Sequence, residues 1–134
     1  VMGIAAGMLD GGGYGALKGV LMARGAREVS RLIAKMGGNE LSAYGLCHLG
    51  DYEATLFSSH SHNRQFGESF IRHQDYHRLA EGYYTVEALM VLSERYQVEL
   101  PICRAVHAIL YENADPREQL TELLRRGLRA EFDD

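Results

Sequence analysis

The segment Gly50–Gly67, GDYEATLFSSHSHNRQFG, holds the densest set of reactive side chains in this chain. It brings together an acid (Asp51), a hydroxyl (Thr55), three serines (Ser58, Ser59, Ser61), two histidines (His60, His62) and the pair Asn63–Arg64. Asp51 and Thr55 are four residues apart, so a helix over 51–57 carries both on one face. Two readings are open for Asp51. It caps that helix just after Gly50, or it works with Thr55 as an acid beside a reacting group. Ser61 or Asn63 can open the next helix as a cap. The same helix start, flanked by Ser, Asn and Arg, is also a ready anion site, because its first backbone N–H groups point outward. The two uses are compatible. His60-x-His62 and His73-x3-His77 have spacings that can chelate a metal. With no cysteine partner and no HExxH motif, surface histidines near a loop are the plainer reading, and no native metal is expected.

The elements that position this segment read as helices. From Leu17 to Met36 the apolar residues Val20, Leu21, Leu32, Ile33 and Met36 follow helical spacing, and Gly37–Gly38 supplies a stop. Arg24, Arg27, Glu28, Arg31 and Lys35 are expected on its wetter side. Residues 39–60 predict two short helices, and 63–72 another with Phe66, Phe70 and Ile71 inward. Glu81–Gly82 precedes a helix from Thr85 to Tyr96, striped by Val86, Leu89, Met90, Leu92 and Tyr96, where Glu81 reads as an acid favoured by the helix dipole. Tyr83 and Tyr84 read as packing or rim residues. Pro101 suits a first helical turn ahead of Ile102, Val106, Ile109 and Leu110. Asp115-Pro116-Arg117-Glu118 reads as an N-cap, a proline at N1 and an acid at N3, leading Leu120, Leu123 and Leu124. No alternating run supports a strand. The expectation is one all-α domain over residues 1–134, with about seven or eight helices.

Composition narrows the function. With 46% hydrophobic and 24% charged residues the chain is ordinary for a globular domain. A net charge of −4 argues against a nucleic-acid partner. Arg125, Arg126 and Arg129 form one basic cluster, but acids surround it, as on a solvated helix face. Cys47 and Cys103 make no disulfide framework, which favours a reducing, cytoplasmic compartment. The apolar run Met2–Met8 is too short to span a bilayer.

Eight glycines fall in the first 25 residues, so that stretch needs its own account. Gly11-x-Gly13-x-x-Ala16 loosely matches a dinucleotide fingerprint. That fingerprint needs a strand before it and another after the helix, and neither is expected. The alternative is that Gly3, Gly7, Gly19 and Gly25 allow close helix approach while Gly11–Gly15 turns the chain.

Taken in order, these motifs resemble the C-terminal, substrate-binding domain of NAD(P)-dependent glycerol-3-phosphate dehydrogenases. Ile4–Gly11 resembles that family's apolar entrance, and Leu21–Gly25 (LMARG) its "LITRG". The run from Gly45-Leu46 to Leu49-Gly50-Asp51 resembles "GLAGLGDL". Ser61-His62-Asn63-Arg64 stands where the family has "SRNR", Ala80-Glu81-Gly82 resembles "VEG", and Val98–Ile102 resembles "VEMPI". The tail from Leu110 to Glu118 also fits. The resemblance implies the helical fold shared with 6-phosphogluconate dehydrogenases and the interconversion of dihydroxyacetone phosphate and sn-glycerol 3-phosphate. It implies NAD or NADP, held mainly by an N-terminal Rossmann domain. Asp51 would sit beside the reacting oxygen and the family's lysine, with Thr55 in support. Ser61, His62 and Asn63 would hold the substrate, chiefly its phosphate, and Arg64, retained from the motif, would supply part of the charge lost where His62 replaces arginine. His62, Leu79 and Glu81 would line the cofactor side. The family's Lys-Asn pair falls just before Val1 and its Rossmann half lies outside this chain, so the isolated chain is expected to be inactive. A homodimer is the expected assembly. A non-catalytic helical interaction module with a degenerate phosphate site is the alternative.

Overall fold

A computed structural model of the chain describes residues 1–45, 50, 57–76, 78 and 80–125. Six α-helices are present among them: α1 (Met2–Gly11), α2 (Lys18–Lys35), α3 (His62–Ile71), α4 (Gly82–Arg95), α5 (Pro101–Tyr111) and α6 (Pro116–Arg125). Two short 3-10 turns, Gly15–Leu17 and Glu40–Tyr44, join them, and no strand occurs among the described residues. The all-α expectation holds, with fewer α-helices than the seven or eight foreseen. Part of the difference is that Glu40–Tyr44, where a short helix was expected, is a 3-10 turn opened by Asn39, whose side chain accepts from Leu41 N. Most of the second short helix expected within 39–60 lies outside the described residues.

α1 is the centre of the fold. Every residue from Met2 to Leu9 is buried, as befits a helix that is apolar on all sides. It packs against α2, α3, α4 and α5. Its closest partner is α3, because each helix presents a glycine to the other's backbone. A Cβ at Gly7 would collide with the Arg64 carbonyl oxygen and lie 2.7 Å from Glu68 N. A Cβ at Gly67 would collide with the Ile4 carbonyl oxygen and lie 2.9 Å from Ile4 C. No side chain separates the two helices there. The expectation of close approach thus holds at Gly7, and at Gly25 beside the Met2 side chain, whereas Gly19 faces open space. The Gly11–Gly15 run turns the chain as expected: Gly11 ends α1, Gly13 takes φ +83°, and Gly15 starts the first 3-10 turn. A helix therefore stands where a dinucleotide fingerprint requires a strand.

The inward stripe of α2 differs from the expected one. Leu21, Gly25, Glu28 and Leu32 are buried, while Val20 and Met36 are 40% and 48% exposed. Spacing of four, three and four residues keeps the buried set on one helix face; Val20 falls beside it, and Met36 lies just past the end of α2. Glu28, expected on the wet side, is only 2% exposed. Its carboxylate caps α5, with Oε1 accepting from Ile102 N at 2.7 Å and Oε2 from Cys103 N at 3.1 Å. Pro101 opens that helix at its first turn, as expected. Burial pushes the Glu28 pKa up from its ordinary 4.5, and the two amide donors act in the opposite sense.

α4 begins at Gly82 rather than Thr85 and buries Val86. Tyr83 packs, stacked on Tyr111 with centroids 4.7 Å apart, while Tyr84 is exposed. Leu120 and Leu123 of α6 complete the core. No helix among the described residues is long and apolar enough to cross a membrane.

Candidate functional site

Three chain segments converge where α3 and α4 begin. α3 opens at Ser61, whose hydroxyl accepts from Arg64 N at 3.3 Å, which settles the choice of cap in favour of serine. That choice frees the Asn63 amide side chain to bond elsewhere, and its Oδ1 accepts from Gly82 N at 3.0 Å. The first turn of α3 thereby satisfies an otherwise orphaned N–H of α4, across 19 residues of sequence. A Cβ at Gly82 would lie 3.1 Å from Asn63 Oδ1, 3.1 Å from Val1 N and 2.8 Å from Ile4 Cδ1. Glycine leaves room at that position, where the starts of α1, α3 and α4 meet. Two helix N-termini side by side focus positive potential on one patch.

His62 and Glu81 flank the Asn63–Gly82 bond in sequence, and both are exposed. Glu81 occupies the N-cap position of α4 but makes no capping hydrogen bond, so its carboxylate is left facing solvent beside the helix start. Ser61 and Asn63 are half-buried. Asp51, Thr55 and Leu79 lie outside the described residues.

Arg64 follows directly but faces elsewhere. Its Nε donates to Ser58 O at 2.6 Å, and Nη1 donates to Asp10 Oδ2 at 2.9 Å and Glu68 Oε2 at 2.8 Å. Burial opposes the guanidinium charge, yet the hydrogen bonds and charges of Glu68 and Asp10 outweigh it and raise the pKa further. Lys18 pairs with Asp10 at 3.1 Å and Arg72 with Glu68 at 2.8 Å, giving a chain of alternating charges from the end of α1 along α3. The loop ahead of α3 is stitched down as well. Gln65 Nε2 donates to Ser59 O at 2.6 Å, and His60 N donates to Ser58 Oγ at 3.1 Å.

The Asn63–Gly82 bond and the Glu28 cap are two features that sequence reading missed. The signal for Glu28 was its position seven residues after Leu21 and four before Leu32, on the buried stripe. No local pattern marks the Asn63–Gly82 bond. Among the described residues no group of three or more His, Cys, Asp or Glu side chains could hold a metal ion. His77, part of the second histidine pair, lies outside them.

Comparison with known proteins gives a consistent result. Residues 1–121 match the family described as NAD-dependent glycerol-3-phosphate dehydrogenase C-terminus. Glycerol-3-phosphate dehydrogenase [NAD(P)+] of Thermus thermophilus is 40% identical, over 98% of this chain and 42% of the relative. The protein of the same name from Thermotoga sp. (strain RQ2) is 34% identical, over 98% of this chain and 44% of the relative. The crystal structure of glycerol-3-phosphate dehydrogenase from Coxiella burnetii superposes with a TM-score of 0.87 at 32% identity, covering 93% of this chain and 41% of that one. This chain therefore spans less than half the length of the curated relatives it matches.

Proposed function

Because the chain belongs to the family of NAD-dependent glycerol-3-phosphate dehydrogenase C-terminal domains, we propose that it forms the substrate-binding half of an oxidoreductase that interconverts dihydroxyacetone phosphate and sn-glycerol 3-phosphate. The observation that carries this reading is the Asn63–Gly82 hydrogen bond, which joins the SHNR and AEG motifs into one patch at two adjacent helix starts. Such a patch suits a phosphate, because outward N–H groups and the aligned peptide dipoles both favour an anion. In this reading Ser61, His62 and Asn63 hold the phosphate end, and Arg64 belongs to the same end.

The carbonyl end is assigned to Asp51 and Thr55 on the strength of the family resemblance. Reduction of the ketone needs a proton delivered to its oxygen, and Asp51 with Thr55 would orient the group that delivers it. The patch also fits a nicotinamide. The uncapped, exposed carboxylate of Glu81 beside the α4 start and the exposed His62 ring offer polar partners for a carboxamide and a phosphate. When bound, NAD(H) or NADP(H) supplies or accepts the hydride. Leu79 is assigned to the same side. The dinucleotide would be held mainly by a separate Rossmann domain.

A homodimer and a cytoplasmic location complete the proposal. The first draws support from Tyr84 and Val91, exposed together on α4, and light scattering of the intact protein tests it. The second draws support from the absence of a cysteine framework in the sequence. The central test is NADH and NADPH oxidation by the intact dehydrogenase carrying this chain, with dihydroxyacetone phosphate as acceptor. Saturable turnover is expected. A folded, nucleotide-binding protein that turns over no dihydroxyacetone phosphate would refute the assignment.

A further inference from the structure

We propose that Arg64 is a positioning residue: held by Asp10 and Glu68, its guanidinium fixes the Ser58–Ser61 loop, and so the start of α3, instead of meeting the substrate phosphate itself. This rests on the phosphate-end reading above and sharpens it. Arginine carries five N–H donors, and three of them are engaged by groups built into the fold: the Ser58 carbonyl, Asp10 and Glu68. The side chain is 13% exposed. A phosphate approaching it would meet two carboxylates at hydrogen-bond distance from the same Nη1, which oppose the attraction of the guanidinium for an anion.

The bonds that are made serve the loop instead. Ser58 O, which accepts from Arg64, and Ser59 O, which accepts from Gln65, tie the loop to the first turn of α3 at both carbonyls. Ser61 Oγ, accepting from Arg64 N, closes the third tie. Asp10 anchors this assembly to the end of α1 and is itself held by Lys18. The orientation of His62 and Asn63 is therefore set through Arg64 by a residue on another helix. A direct phosphate ligand would be helped by losing the Asp10 charge, which repels the same anion; a positioning residue loses the partner that holds it.

The test is a double-mutant cycle in the intact dehydrogenase, reading kcat and KM for dihydroxyacetone phosphate in Asp10→Asn, Arg64→Gln, the double variant and Asn63→Ala. Each single change at Asp10 or Arg64 is expected to raise KM about tenfold with kcat within about threefold of wild type. The double variant is expected to be no worse than the worse single, because both break one assembly. Asn63→Ala is expected to raise KM independently. A wild-type KM in Asp10→Asn beside a raised one in Arg64→Gln, or additive effects, overturns the positioning role and returns Arg64 to the phosphate. An unchanged KM in Asn63→Ala removes the phosphate-end reading and the proposal with it. If Arg64→Gln does not fold, Arg64→Lys is read in its place, since an ammonium keeps the charge but cannot span three acceptors. There too a raised KM matched by Asp10→Asn supports the proposal, and a wild-type KM, or a raised one beside a wild-type KM in Asp10→Asn, overturns it.

Discussion

Gly7→Ala should be among the most damaging single-methyl changes in this chain, and its cost follows from the α1–α3 crossing. The added carbon would fall against the Arg64 carbonyl oxygen and 2.7 Å from Glu68 N. Both are backbone atoms of α3, so no side chain can swing aside. Restoring an ordinary contact of about 3.5 Å to that oxygen requires the helices to part by about 1.5 Å. That movement opens a gap along the crossing and strips dispersion contacts from Ile4 and Met8, two of the largest fully buried side chains. Overpacking of a core costs typically about 1–3 kcal/mol, and the backbone-to-backbone geometry puts this site at the upper end. Alanine's better helix propensity returns about 1 kcal/mol at most. A net loss of about 2 kcal/mol should lower the melting temperature by roughly 5–10 °C in a domain of this size. The matched control is Gly19→Ala on α2, where an added Cβ meets nothing within 4 Å. It should gain about 0.5–1 kcal/mol from propensity alone. Thermal and urea unfolding of the two variants side by side make the comparison. If Gly7→Ala melts within about 2 °C of wild type, the claim that α1 and α3 touch through their backbones is wrong.

Three further outcomes are expected. Glu28 has a folded pKa raised above 4.5, so its contribution to stability is complete below that pH and is lost as pH rises through the raised value. Glu28→Gln removes this dependence, so the stability difference between wild type and variant should shift against wild type from pH 4.5 upward; a gap that stays constant or moves the other way in urea titrations refutes it. Asn63→Ala leaves Gly82 N without its acceptor and should cost about 1–2 kcal/mol, whereas Asn63→Asp, which keeps an oxygen there, should cost less. Equal losses in the two would show that the bond to Gly82 is not what matters. Gln97 holds φ +51° just after α4, a left-handed conformation that glycine adopts freely. Gln97→Gly should therefore raise the unfolding midpoint, by about 0.5–1 kcal/mol of stability, and a lower midpoint would contradict that account.

The helices were legible in the sequence because apolar spacing, Pro101, Asp115–Pro116 and the Gly37 stop are local signals. Partnership between distant segments was not legible. Val20 and Met36 look as apolar as Leu21 and Leu32, and only the position of α1 and α5 decides which of them is covered. Glu28 looked wet by residue type, although its register on the stripe placed it inside. Gly7 and Gly19 are indistinguishable in sequence, since close approach depends on what lies opposite. In the candidate site, the Ser61 cap and the anion-friendly start of α3 were readable from SHNR alone. The bond from Asn63 to Gly82 was not, because it depends on how two helices are docked. Arg64 shows the same limit: its motif suggested substrate, and only the fold reveals Asp10 beside it.

The Glu28 cap also bears on how the chain assembles. Its acceptors serve amides 74 and 75 residues away, so the carboxylate has no partner until α5 has begun at the right place. Docking α2 early would strand an unpartnered polar side chain in an apolar interior, at a cost of several kcal/mol. Half-assembled forms are thereby disfavoured, and α2 and α5 should enter the native structure in a single cooperative step. The amides of Ile102 and Cys103 would then exchange with solvent only when the whole domain opens, although they sit in a first helical turn, where exchange is ordinarily fast.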